Sequence, residues 1–471
     1  MEIITVSNWE WKVAPNNSQT YLSMSENSTS PTAQSIKQPP SGIRNKLKFL
    51  GPGFILSASI VGSGELIATT TLGAKAGFIA FWIIILSCLV KVAVQLEYGK
   101  HAILTGETPM EAFGKLRGAR IGKSSWAVSL WFLLMSLKFI QLGGMIGSTA
   151  IVLFLLFPFL PITAWLFITA IIAAAFIFKG YYSIIEKGSL FMIVAFTVFT
   201  LLAVWMLRYT NYHFGWKEVW DGLQFKFPPH VVAIAFGAFG ITGVASDEII
   251  AYNYWCLEKG YAAYTGPRTN DEAWKARARG WIRVMYLDAT VAMIIYTSVT
   301  AAFYLLGAAV LHEENVVPEG NQVIETLALM YTQTIGPGAR TIYLVGAFFV
   351  LFSSVFASLA AWTRLLPDIF HQLGWIQLNQ TLRKKMIVIL SWTIPFVWVL
   401  LYLFIHLPVL MILFGGIVGS VMLLLVVYAA IRFREERQQI LPSGMLYDIA
   451  FWISVLAIVS IGIYGLVQVF A

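Results

Sequence analysis

The chain is 471 residues long, 58% hydrophobic and 12% charged, with mean hydropathy +0.73 and a formal net charge of +8. Soluble domains carry about 25% charged residues, so half that charge excludes a soluble protein and leaves an integral membrane one. The basic excess does not point to nucleic acid, because it is concentrated in alternate loops, as the positive-inside rule requires.

Residues 1–45, with the stretch "NNSQTYLSMSENSTSPTAQ", are rich in Ser, Asn, Thr and Pro and are expected to form a disordered cytoplasmic tail rather than a signal peptide. Eleven apolar segments follow, at 50–73, 77–99, 125–157, 160–178, 182–208, 230–256, 283–311, 339–363, 385–405, 407–431 and 446–469. Each suits a helix crossing about 30 Å of hydrocarbon, so the predicted class is an all-α polytopic membrane protein. Basic residues fill the loops after even-numbered segments: Lys115, Arg117, Arg120 and Lys123; Lys259, Arg268, Lys275, Arg277 and Arg279; Arg364, Arg383, Lys384 and Lys385; Arg432, Arg434 and Arg437. The loop after the seventh carries Glu313, Glu314 and Glu319 instead. This places the amino terminus in the cytoplasm and, with an odd number of spans, the carboxyl end outside. The two cysteines, Cys88 and Cys256, suggest neither a disulfide framework nor a zinc site.

Two of the segments are interrupted. The first carries "SASIVGSGELIATT" (57–70), a Gly-Ser-Gly break followed by Glu65; the sixth carries "GAFGITGVASDEIIAYNYW" (237–255). A carboxylate at the bilayer centre costs at least about 2.5 kcal/mol, which marks it as functional. Aligned, Ser63–Thr69 and Ser246–Tyr252 share four of seven residues, and Glu65 matches Glu248. Five spans separate the two, so the second copy is inverted. That is the plan of a five-plus-five inverted-repeat transporter of the LeuT type, with discontinuous helices 1 and 6 and a substrate site near the midplane. The expected divisions are a tail (1–45), a first repeat (46–208), a second repeat (209–431) and an eleventh helix (432–471). Candidate substrate- or ion-binding residues are Gly62, Ser63, Gly64, Glu65, Gln141, Ser246, Asp247 and Glu248. Lys138, Lys91 and Asp288 are candidate coupling or charge partners, although helix–helix pairing is the commoner role of such isolated residues.

Over about residues 47–470 the chain resembles the Nramp family of proton-coupled divalent metal transporters. The likeness rests on "LGPGFILSAS" before the first break, "EYGKHAILTGET" ending the second segment, "KGYYSIIEKGS" leading the fifth and "YLDATVAM" in the seventh. Where that family has Asp-Pro-Gly-Asn, this chain has Gly62-Ser63-Gly64-Glu65, so the metal-binding Asp position falls on Gly62 and the Asn position on Glu65. The family's Met-Pro-His falls on Val244-Ala245-Ser246, and two acidic positions of its third helix fall on Gln141 and Gly144. The resemblance implies the fold, but the soft thioether that favours transition metals is missing.

Two transport readings follow. The first is a secondary active transporter of divalent cations working by alternating access, with Glu65, Asp247 and Glu248 as metal ligands in an all-oxygen site favouring Mg²⁺ or Mn²⁺. The alternative is a small organic solute, an amino acid or carboxylate, held at the Gly-Ser-Gly break, a reading that Lys138 favours. An enzyme or receptor is not expected: there is no catalytic triad order or phosphate loop, and the loops are short. No cofactor and no nucleic-acid partner are expected; the partners are the transported cation or solute, a possible coupling ion and the lipids of a plasma (inner) membrane.

Overall fold

The computed structural model describes residues 35–178, 182–226 and 228–470. Most of the expected tail lies outside them. Its described part is tethered by hydrogen bonds: Ser35 Oγ donates to Ala263 O (3.0 Å), Lys37 N to Tyr264 O (3.0 Å), and Trp281 Nε1 to Lys37 O (3.1 Å). Backbone groups satisfied in this way hold the segment against the loop that its polar composition alone would not predict.

Among the described residues the regular structure is helical, apart from a small hairpin pairing Arg120 with Ser125. The principal helices are α1 (Pro52–Ile60), α2 (Thr70–Ala76), α3 (Phe81–Thr105), α4 (Trp126–Leu156), α5 (Ile162–Phe178), α6 (Tyr182–Met206) and α7 (Val232–Ile241). They continue with α8 (Ser246–Glu258), α9 (Glu272–Leu306), α10 (Ala339–Gln372), α11 (Gln380–Ile405), α12 (Pro408–Gln438) and α13 (Met445–Phe470). Among the described residues nine helices are long and apolar enough to cross a membrane; the first runs from Gly64 to Thr105 through two of the expected segments, and Ile162–Phe178 is shorter.

Local chemistry sets the ends. Gly106, at φ +73°, closes α3, and Thr108 and Glu111 form a reciprocal capping box just beyond it. Asp271 caps α9 by accepting from Trp274 N (2.6 Å), so that helix starts at Glu272 and not near 283. Its first turns bury Trp274, Ala278 and Trp281, while Lys275 and Arg279 stay accessible. The expected basic loop is therefore partly helix. The same holds for α12, which carries Arg432, Arg434 and Arg437 inside its last turns. Arg437 is buried there and grips Glu97 of α3 through two bonds of 3.0 Å, with Lys100 on the same carboxylate at 2.9 Å. A forked guanidinium–carboxylate pair of this kind fixes orientation as well as charge.

The interior is built from α1–α4, α7–α10 and α12, with α11 and α13 more exposed on the outside. At the centre α7 crosses α12 closely. A Cβ on Gly416 would fall on Gly237 O, so small residues let the two backbones touch, as apolar helix packing in lipid favours.

Candidate ion-binding site at the two helix breaks

The first break lies between α1 and α2. Val61 N still reaches Ser57 O (2.9 Å), then Val61 and Gly62 turn, and the chain resumes as a wide π-helical turn over Gly64–Thr69. This leaves the carbonyls of the last turn of α1 without in-helix donors. Ser353 and Ser354 of α10 supply them: Ser353 Oγ donates to Ala58 O (3.3 Å) and Ser354 Oγ to Ser59 O (3.0 Å). Gly62 makes the approach possible, because a Cβ there would overlap Ser354 Oγ.

The second break runs from Thr242 to Ala245, turning at Gly243 with φ +65°, a conformation that favours glycine. On the α7 side, Lys91 Nζ donates to Thr242 O (2.7 Å) and to Phe239 O, and Ser87 Oγ lies 3.1 and 3.0 Å from Phe239 O and Thr242 O. On the α8 side, Gly243 N donates to Glu65 Oε1 (2.9 Å). Ala245 N donates to Glu248 Oε2 (2.8 Å), the backward reach of a third-position glutamate at a helix start. The two breaks are in direct contact, Thr69 Oγ1 lying 3.0 Å from Thr242 Oγ1.

A cavity of about 20 Å³ opens beside the second break, lined by Leu56 and Ser59 of α1, Asp247, Glu248, Ala251 and Trp255 of α8, and Ala357, Ser358, Ala361 and Trp362 of α10. Glu248 Oε1 accepts from Ser59 Oγ (3.0 Å), and Asp247 is ion-paired with Lys138 of α4. Glu65 is fully buried on the other side of the break, with Oε2 unpartnered; Ser246 Oγ, also buried, has no partner either.

The candidate residues thus fall into groups. Gly62, Ser63, Gly64, Glu65, Ser246, Asp247 and Glu248 all lie at the paired breaks, and Lys138 reaches them through Asp247. The three carboxylates expected to share a metal are not gathered: Asp247 and Glu248 line the cavity, whereas Glu65 turns to Gly243. Among the described residues no three His, Cys, Asp or Glu side chains are close enough to hold a metal ion. Gln141 packs over Gly415 of α12, with Oε1 unpartnered. Lys91 is a cap on α7, and Asp288 holds the opposite end of α1, accepting from Gly51 N (2.9 Å) and Gly53 N (2.5 Å). A carboxylate at a helix N-terminus is favourable there. Ser59, Ser87, Ser353 and Ser354 were not singled out from the sequence. Their only signal is a hydroxyl in an apolar helix, clearest in the doubled Ser of "VLFSSVFAS".

The sequence model of the natural resistance-associated macrophage protein-like family, Nramp, matches residues 53–468. An uncharacterized protein of Pasteurella multocida is 25% identical over 68% of this chain and 70% of its own length. The divalent metal cation transporter MntH of Caldanaerobacter subterraneus is 25% identical over 59% of this chain and 62% of its own. Among solved structures, the manganese transporter of Eremococcus coleocola superposes with a TM-score of 0.63 at 15% identity, covering 91% of this chain and 88% of that one, a likeness of fold.

Proposed function

This chain belongs to the Nramp family, and on that footing we propose that it carries a divalent metal cation across the membrane, binding it at the two helix breaks and moving it by alternating access. The observation that carries this reading is the cavity walled by one half of each broken helix and by α10, with the carboxylates of Asp247 and Glu248 and the hydroxyl of Ser59 on its lining. The relatives named as divalent metal cation and manganese transporters support the substrate class.

The lining offers oxygen but no thiol, thioether or imidazole, which favours a hard cation, Mg²⁺ or Mn²⁺, over a softer transition metal. Asp247 is the proposed entry ligand. Because Lys138 already pairs with it, an arriving metal takes over the carboxylate and releases the lysine. Glu248 and the free Oε2 of Glu65 complete the carboxylate set once the breaks rearrange. The cavity holds about one water-sized group as it stands, so a cation keeping part of its hydration shell needs α1 and α8 to part from α10. That separation is the proposed rocking step. The alternation of basic loops along the sequence supports an amino end in the cytoplasm and a carboxyl end outside, in a plasma (inner) membrane, as part of the same proposal.

The test is influx of Mn²⁺ and Mg²⁺ into proteoliposomes, compared with empty liposomes. Saturable influx that falls by about tenfold or more in both Asp247→Asn and Glu248→Gln is expected, a tenfold change corresponding to about 1.4 kcal/mol. Absence of influx of either ion by folded, inserted protein would remove the metal assignment.

A further inference from the structure

We propose that the basic cavity between residues 39–46 and the start of α9 binds the phosphate headgroup of an anionic phospholipid. This inference stands without the metal-transport reading.

The cavity measures about 430 Å³. It is walled on one side by residues 39–42 and Lys46, and on the other by Ala276, Arg279, Gly280 and Arg283 of α9. The α9 residues lie three, four and seven positions apart and so share one face of the helix. Pro39 packs on Gly280, where a Cβ would come within 2.2 Å of its ring. The short helix Ile43–Leu47 then presents Lys46 to the same space. Three cations thus face one cavity, and no carboxylate is in its lining. Among the described residues none of the three side chains has an ion-pair partner. The acids of α9 and its cap are engaged elsewhere: Asp271 on Trp274 N (2.6 Å), Glu272 on Lys275 (2.8 Å), and Asp288 on the amides of Gly51 and Gly53. An entering anion relieves the repulsion among the three, and the guanidinium fork matches phosphate oxygens in particular.

Placement along the chain selects a lipid over a soluble phosphate. Arg279 and Arg283 are the last basic residues of α9, directly before the stretch that enters the membrane, which is where headgroups lie. The neighbouring short helix leaves Ile43 and Leu47 exposed, one turn apart, with Arg44 and Lys48 exposed beside them. Apolar side chains flanked by cations suit the boundary between headgroups and acyl chains. A bound headgroup would clamp residues 39–46 to α9. That segment leads into the start of α1, where Phe49 O accepts from Tyr261 Oη (2.8 Å) and Leu50 O from Lys259 Nζ (3.0 Å). Since α1 walls the Asp247–Glu248 cavity, lipid at this distant site would steady one of its walls.

The experiment titrates the purified full-length chain in neutral detergent with dioctanoyl phosphatidylglycerol, read by microscale thermophoresis. Dioctanoyl phosphatidylcholine, inorganic phosphate and glycerol phosphate form the other arms. Saturable binding of phosphatidylglycerol is expected, with phosphatidylcholine weaker by about tenfold or more. Arg279→Gln/Arg283→Gln should weaken it by about tenfold or more, and Lys46→Gln by about threefold, the latter serving if the double variant is not monodisperse. Gly280→Ala, which keeps every charge but pushes Pro39 away, should also weaken it by about threefold. Arg117→Gln/Arg120→Gln, an equal loss of charge from an exposed basic loop, should stay within about twofold. Equal losses in the two double variants would overturn the site in favour of diffuse surface charge, and so would unchanged binding in Arg279→Gln/Arg283→Gln. Inorganic phosphate or glycerol phosphate binding as tightly as the lipid would overturn the lipid as its ligand.

Discussion

The two helix breaks solve one problem in two ways. Both end a helix inside the protein and must satisfy the carbonyls left over. At the second break the partners are a lysine, a serine and two glutamates: Lys91 and Ser87 on the α7 carbonyls, Glu65 and Glu248 on the α8 amides. At the first break the carbonyls of Ala58 and Ser59 are met from α10 by the neutral hydroxyls of Ser353 and Ser354. Ionisable partners on long side chains from α3 and the first break lock the second break into its turn. Hydroxyl rotors that have a second acceptor can let go. The second break is built to hold its shape, whereas the hydroxyl contacts of the first can be exchanged, since Ser353 and Ser354 each have Val350 O as a second acceptor (2.9 and 3.3 Å).

That contrast can be tested by thermal unfolding of purified variants. The largest loss is expected for Lys91→Met, about 2–3 kcal/mol, because it strips the donor from two buried carbonyls that Ser87, with one proton, cannot serve together. Glu65→Ala should follow at about 2 kcal/mol, from an unpaired buried Gly243 amide plus the cavity left behind. Gly243→Ala should lose about 1–2 kcal/mol, because a residue with a Cβ is strained at φ +65°. The smallest effect, about 1 kcal/mol or less, is expected for Ser354→Ala, which removes one neutral hydrogen bond. If Ser354→Ala destabilised the protein as much as Lys91→Met, the first break would be as firmly locked as the second and the contrast would fail.

Much of this arrangement was legible in the chain. Gly62-Ser63-Gly64-Glu65 and Ser246-Asp247-Glu248 stood out because glycines and carboxylates are conspicuous in an apolar run, and both stretches lie at helix breaks. Lys138 was named as a charge partner for Asp247 or Glu248; only folding shows that Asp247 is the one it meets. Gln141 was named because the resemblance puts an acidic position of the family's third helix there, yet its side chain packs over Gly415 of α12. Asp288 was noted for its charge, while its use, capping the start of α1 from a helix more than 200 residues away, depends on which helices meet. The start of α9 was misjudged because Lys275, Arg277 and Arg279 look like a loop to a hydropathy count. In the fold they are the outer face of a helix whose inner face buries Trp274, Ala278 and Trp281.

By itself the sequence determined the environment, the helical class, the places where two helices break and the acidic residues beside them. Those properties follow from transfer energies and backbone freedom, which act locally along the chain. Only the tertiary structure decided what each break is tied to. Serine hydroxyls at 353 and 354 carry almost no signal in an apolar helix, and become informative only when helix packing sets them against Ala58 and Ser59. Likewise a glutamate at 65 reads as an ion ligand until the fold delivers the Gly243 amide to one of its oxygens and leaves the other free. Burial turns a polar side chain into an obligation, and the fold chooses the partner that meets it.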